Sequence, residues 1–173
     1  MAEQLPGMPD RWARLWAPHR MEYLKGENRP LSENGVDCPF CRIPTLSDEE
    51  GLIVARGESA YVVMNLYPYN AGHLLICANR HVADLTDLTK AERDEISHLT
   101  AHAMVTLRKV SAPAGFNLGM NQGAISGAGV AEHIHQHVVP RWSGDANFMP
   151  LIGQTKVMPV LLAQSRDELA AAW

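Results

Sequence analysis

Hydrophobic positions come in short runs through the middle of the chain and at helical spacing after it. Gly51-Leu52-Ile53-Val54-Ala55-Arg56 and Tyr61-Val62-Val63-Met64-Asn65-Leu66 have the length and apolar character of strands, and Arg56-Gly57-Glu58-Ser59 between them reads as a turn. Pro68-Tyr69-Asn70-Ala71-Gly72 is a second turn, leading into a third strand over His73-Leu74-Leu75-Ile76-Cys77-Ala78. Three short strands joined by tight turns predict an antiparallel meander. The period then changes. Ile96, Leu99, Ala103, Leu107 and Val110 recur every three or four residues behind the capping-box pair Thr89 and Glu92, which predicts a long helix packed on the sheet. Phe116 to Asn121 reads as a strand, residues 122–132 as a glycine-rich loop, and His133 to Pro140 as another strand. The tail from Lys156 to Trp173 reads as a C-terminal helix with Pro159 near its start.

The first 35 residues differ from the rest. Asp10 can cap a short helix carrying Trp12, Leu15 and Trp16, limited by Pro18, and Gly26 to Gly35 is polar. We read 1–35 as an N-terminal extension and 36–173 as one α+β domain, an antiparallel sheet with a long helix and a C-terminal helix. A length of 173 residues suits that division. The 46% hydrophobic and 20% charged composition is that of a soluble globular protein. No apolar run approaches the ~20 residues that cross a bilayer, and the first residues lack a secretory pattern, so the expectation is a cytoplasmic protein without a membrane partner. The net charge of −4 argues against a nucleic-acid partner, which calls for a basic surface, yet leaves room for a small anionic ligand. Three cysteines, Cys38, Cys41 and Cys77, fit metal binding or free thiols better than a disulfide framework.

The segment Glu132-His133-Ile134-His135-Gln136-His137-Val138-Val139-Pro140-Arg141-Trp142 carries the chemistry. In a strand, period two puts His133, His135 and His137 on one face and Ile134, Gln136 and Val138 on the other. A packed core has no use for three imidazoles in a row, because each needs a partner once buried. His133 and His137 would be about 13 Å apart at the backbone, too far to share one tetrahedral ion without a bent strand. The preceding glycines, including Gly127 and Gly129, allow backbone N–H groups to approach an anion. A donor-rich loop beside a row of imidazoles suits phosphate transfer. Cys38-Pro39-Phe40-Cys41 offers two thiolates to a metal that needs two more ligands.

His133-Ile134-His135-Gln136-His137-Val138-Val139 resembles the signature of the histidine-triad (HIT) superfamily of nucleotide hydrolases and transferases, with Gln136 where the family has an apolar residue. The likeness spans most of residues 36 to 150. Asn65 followed by Ala71-Gly72-His73 is similar to the family's ribose-contacting asparagine and Gly-His step. Val139-Pro140-Arg141-Trp142 with Gly144-Asp145-Ala146-Asn147-Phe148, and Arg14-Leu15-Trp16 with His19-Arg20-Met21, resemble the branch of bacterial diadenosine tetraphosphate phosphorylases.

The resemblance implies a HIT-like fold and roles for particular residues. His135 would be the nucleophile that holds the nucleotide, His137 would contact phosphate and assist the leaving oxygen, and His73 would support the catalytic strand. Asn65 would bind ribose, Asn121 with the backbone near Gly129 and Val130 would hold phosphate oxygens, and Trp142 would lie near the ligand. Cys38, Cys41, His81 and His133 would hold a structural zinc, with no cofactor required for the chemistry. The implied activity is cleavage of an adenine dinucleoside polyphosphate, diadenosine tetraphosphate, with inorganic phosphate as acceptor, giving ADP and ATP in a homodimer or homotetramer. Water as acceptor, in a polyphosphate hydrolase or nucleoside phosphoramidase, is the alternative within the class. A non-catalytic nucleotide- or zinc-binding module is the alternative outside it.

Overall fold

The structure, a computed structural model, describes residues 38–145 and 160–173. The extension read over 1–35, the residues Arg14 to Met21 within it, Ala146-Asn147-Phe148 and the start of the tail helix at 156–159 lie outside the described residues.

Cys38 caps a one-turn helix α1 (Pro39–Arg42), with proline at the first position, where no backbone N–H is needed. A second short helix α2 (Asp48–Gly51) is set by Ser47 and Glu50, which form a reciprocal capping box. Leu52 ends it in the left-handed conformation at φ 54°. Strand β1 therefore covers Ile53–Arg56 and not the run from Gly51: the acidic residues after Ser47 close a helical turn that the apolar run concealed.

Strands β2 (Ala60–Met64) and β3 (Leu74–Ala78) continue the predicted meander. The long helix α3 (Lys90–Ser111) starts at the expected Thr89/Glu92 capping box. Strand β4 is Gly115–Met120, β5 is His135–Arg141, and helix α4 is Leu162–Ala172. The sheet order is β1-β2-β3-β5-β4, every pair antiparallel. It is thus a three-strand meander to which a β4–β5 pair adds through its second strand. The connection through α3 carries the chain past the place that β5 then fills.

The two faces of the sheet follow the period-two pattern. Val62, Met64, Leu74, Ile76 and Val138 pack with Ile96, Leu99, Ala103 and Leu107 of α3 and with Leu169 of α4. Tyr61, Val63, Leu75 and Cys77 point the other way and pack with Ile53, Cys38 and Phe40. The hydroxyl of Tyr61 donates to the Phe40 carbonyl at 2.7 Å, tying α1 to the sheet. A carboxylate clamps both ends of the segment between β3 and α3. Glu92 accepts from Arg80 Nε at 2.9 Å, from Arg80 Nη2 at 2.8 Å and from the Thr89 N–H at 2.7 Å, while Arg80 also donates to the Asp87 carbonyl. His81 sits next to this clamp.

The Arg80 guanidinium beside Glu92 holds that carboxyl at about 2, below its ordinary value of 4.5. A carboxyl whose folded pKa is depressed stabilises the fold above the unfolded value, and that stability is lost as pH falls from about 4.5 toward about 2. Urea unfolding should therefore show the wild type losing stability through this window more steeply than Glu92→Gln. At neutral pH the variant should be weaker by on the order of 1 kcal/mol. Parallel pH dependence of the two proteins would contradict the clamp.

Candidate active site

Strand β5 begins at His135, not His133, because His133 lies in a bend ahead of it. That bend separates the three histidines into two sites. His135 and His137 stay on the strand, opposite Cys77 and Leu75 of β3, with Gly119 of β4 flanking His137 from the other side. His133 turns to Cys38 and Cys41.

His135 is buried at 5% exposure. Its Nδ1 lies 2.8 Å from the carbonyl of His133. A carbonyl can only accept, so Nδ1 carries the hydrogen and Nε2 keeps its lone pair in the neutral ring. Burial favours the neutral form and pulls its pKa below the ordinary histidine value, against the smaller, opposite pull of that hydrogen bond. A neutral imidazole with one nitrogen committed to the backbone can donate its other lone pair to an electrophile.

His73 is fully buried at the start of β3. The backbone N–H of Tyr69 donates to its Nδ1 at 3.0 Å. An N–H can only donate, so the hydrogen of His73 sits on Nε2, which donates to His137 Nδ1 at 2.9 Å. His137 in its neutral form then carries its hydrogen on Nε2, as a donor. The two catalytic candidates therefore have complementary polarity: His135 Nε2 offers a lone pair and His137 Nε2 offers a hydrogen, with ring centroids 4.9 Å apart. Asn65 follows β2, bonds His73 backbone to backbone at 2.9 Å, and sends its side-chain nitrogen to the same imidazole at 3.3 Å.

Two aromatic rings complete this surface. Phe40 lies 4.7 Å from His135 and 5.5 Å from His133. Tyr69 stacks on His137 at 5.7 Å with 12° between planes. The sequence singled out neither. Phe40 stood there only as the spacer of a Cys-x-x-Cys pair and Tyr69 only as a turn residue, although each lies within four residues of a candidate site residue.

Asn121 directly follows β4, whose Met120 pairs with Gln136, so the register carries it to the level of His135. In the glycine-rich loop, Gly123 and Gly127 take left-handed backbones at φ 76° and 86°, and Val130 packs against the apolar cluster around Phe40 and Cys77. Gly129 lies beside it, half-buried. Trp142 is placed elsewhere: its indole N–H donates to the Ser111 carbonyl at the end of α3, at 3.1 Å. It stands five residues beyond His137, about 17 Å along an extended chain. Within one chain the structure does not bring Trp142 to the imidazoles.

Cys38, Cys41, His81 and His133 converge, with one ligand atom of each within 4.8 Å of all the others. His133 Nδ1 lies 3.4 Å from Cys38 Sγ and 3.5 Å from Cys41 Sγ, and His81 Nδ1 lies 3.3 Å from Cys41 Sγ. Zinc bonds of ~2.3 Å to sulfur and ~2.0–2.1 Å to nitrogen, at tetrahedral angles, set such pairs roughly 3.6 Å apart. His133 Nε2 donates to the Ala78 carbonyl at 2.8 Å, which leaves Nδ1 as the ligating atom and orients the ring as a metal ligand needs. Burial lowers the His133 pKa to about 4 and so keeps it neutral, the form that ligates. Burial, reinforced by Cys38, raises the Cys41 thiol to about 11, a penalty on the thiolate that a divalent cation would reverse. The donor set and its spacing fit one tetrahedral ion such as zinc.

Comparison with known proteins gives this fold and site a family. The HIT domain family matches residues 48–144, and the chain belongs to that family. It is 49% identical over 170 residues to the AP-4-A phosphorylase of Mycobacterium tuberculosis (strain H37Rv), spanning 96% of this chain and 87% of that protein. The asymmetrical bis(5'-nucleosyl)-tetraphosphatase of Schizosaccharomyces pombe is 32% identical over 90 residues, 52% of this chain and 49% of that protein. Among solved structures, a Zn-bound histidine triad family protein from Mycobacterium smegmatis superposes with a TM-score of 0.64 at 24% identity, covering 80% of this chain and 94% of that one. The chain is a HIT-type enzyme.

Gly72 makes the entry into β3 possible. Its φ is +70°, and a Cβ there would sit 3.1 Å from Leu107 Cδ2 and 3.5 Å from Pro140 Cγ. Gly72→Ala should cost about 1–3 kcal/mol in unfolding free energy, from the left-handed backbone and the tight contact together. A loss within 0–0.5 kcal/mol, the size of an ordinary surface substitution, would show that the turn relaxes freely.

Proposed function

We propose that this enzyme cleaves dinucleoside polyphosphates by nucleotidyl transfer through His135, with diadenosine tetraphosphate as substrate and inorganic phosphate as acceptor. The observation that carries the proposal is the hydrogen bond from His135 Nδ1 to the His133 carbonyl, which reserves the Nε2 lone pair for attack. In the first step Nε2 forms a bond to the α-phosphorus, the phosphorus–oxygen bond to the rest of the chain breaks, and ATP leaves. In the second, a phosphate oxygen attacks the same phosphorus, the nitrogen–phosphorus bond breaks, and ADP leaves with His135 restored. His137 Nε2–H would donate to the departing oxygen, Asn65 would bind a ribose hydroxyl, and Asn121 with the backbone of Gly129 and Val130 would hold phosphate oxygens. The polarity of the His73–His137 hydrogen bond supports that division of labour.

The identity over nearly the whole chain to an AP-4-A phosphorylase favours phosphate as acceptor and adenine as base. The more distant tetraphosphatase supports the alternative in which water resolves the same intermediate. Cys38, Cys41, His81 and His133 would hold a structural zinc, which on binding fixes α1 against the bend ahead of β5 and takes no part in the transfer. Among the described residues no helix is long and apolar enough to cross a membrane. A cytoplasmic homodimer or homotetramer is the setting we favour.

Three measurements test this reading. Product analysis with diadenosine tetraphosphate should give ADP and ATP only when phosphate is present; AMP and ATP, unaffected by phosphate, would favour water. His135→Asn should abolish turnover, a loss of about 10³-fold or more, while nucleotide affinity stays within a few-fold; surviving activity would remove the covalent step. Metal analysis of the purified protein should find close to one zinc per chain, and Cys38→Ser should lower both the metal content and the thermal midpoint.

A further inference from the structure

We propose that Tyr69 is the positioning residue for His137, setting both the hydrogen placement and the plane of that imidazole. The kinetic part of the proposal rests on the nucleotidyl-transfer reading above. The structural part stands on the geometry alone.

Tyr69 acts twice. Its backbone N–H donates to His73 Nδ1 at 3.0 Å and thereby forces the His73 hydrogen onto Nε2, from which it reaches His137 Nδ1 at 2.9 Å. Its ring lies against the other flank of the same relay, offset-stacked on His137 at 5.7 Å and 12°, and tilted over His73 at 4.8 Å and 41°. The hydrogen bond fixes one edge of the His137 ring. It leaves rotation about Cβ–Cγ soft, because that torsion has a broad, roughly two-fold profile. A flat ring lying nearly parallel to the imidazole restrains that rotation.

The loop holding Tyr69 is itself anchored. Asn70 Nδ2 donates to the Pro140 carbonyl at 3.1 Å and to Asp145 at 2.8 Å, and Asp145 is gripped by both Arg141 and the Trp142 N–H. Tyr69 is 40% exposed, yet its backbone is tied at its own N–H and through its neighbour. An exposed tyrosine in a turn would otherwise be free to swing into solvent.

The test compares wild type, Tyr69→Phe and Tyr69→Leu, all of which keep the backbone N–H. Nitrogen–proton NMR of the imidazole rings reads the tautomers of His73 and His137, and steady-state kinetics with diadenosine tetraphosphate and phosphate gives kcat and KM. The phenylalanine variant, which keeps the flat face, should stay within about two-fold of wild type in kcat, while the leucine variant should lose about 10-fold or more in kcat with KM changed by less than about three-fold. The His137 signals should remain those of the Nε2–H tautomer in all three proteins, because the backbone N–H that sets it is kept, and should broaden in Tyr69→Leu as the plane of the ring is freed.

Wild-type kcat with unchanged His137 signals in Tyr69→Leu overturns the proposal. So does a Tyr69→Phe variant as impaired as Tyr69→Leu, because the phenol oxygen and not the ring face would then be responsible. A loss confined to KM overturns it as well, moving Tyr69 into substrate binding. If wild type does not turn over the dinucleotide, the functional reading fails and the NMR comparison alone decides for Tyr69. If the leucine variant shows no thermal transition, Tyr69→Met is read in its place.

Discussion

The hydrogen bond between His135 Nδ1 and the carbonyl two residues upstream ties the chemistry of this chain to its backbone. It joins the first residue of β5 to His133, which sits in the bend ahead of that strand. The same bend lets the His133 side chain leave the strand face and meet Cys38, Cys41 and His81. One local irregularity thus serves two purposes: it keeps a lone pair on His135 and it releases a ligand for a tetrahedral site. A regular strand from His133 onward would instead hold its side chain on the same face as His135, about 6.6–6.8 Å away.

Burial supports both purposes. His133, His135 and His73 are removed from water, and each nonetheless has a named partner: a backbone carbonyl, a backbone carbonyl and a backbone N–H respectively. Backbone partners are fixed in kind as donor or acceptor, so they determine tautomers without ambiguity. A side-chain hydroxyl or amide in their place could reverse its role. For these three rings the orienting groups have no alternative state, which preorganises them.

Part of this was legible in the sequence, since period-two spacing places His135 and His137 on one face of the strand, while His133, expected beside them, falls in the bend and leaves that face. The capping box at Thr89 and Glu92 and the apolar stripe behind it located α3, and the Cys-x-x-Cys pair pointed to a metal whose four donors the fold gathers. What the sequence concealed were the places where tertiary contacts override local pattern. Gly51-Leu52 reads as the start of a strand, but the Ser47–Glu50 box closes a helix turn over it. The insertion of β5 between β3 and β4 depends on α3 crossing the sheet, which no local signal encodes. Trp142 follows the triad in sequence, yet its indole goes to the end of α3, because β5 has run its length by then. Phe40, in a one-turn helix, and Tyr69, in a loop, escaped notice because neither segment is long enough to show a periodicity.

The pairing of β3 with β5 also has a kinetic consequence. It brings together His73 and His137, which are 64 residues apart in the chain. The β1–β2–β3 meander and the α3 helix are built from near neighbours and can form early, whereas closing so large a loop carries an entropic cost that local contacts do not offset. Pairing of β3 with β5 and creation of the imidazole relay are therefore one event, expected after the local elements form. A chain in which only these local elements had formed would have most of its helix and three of its five strands, with the strand that carries His135 still undocked.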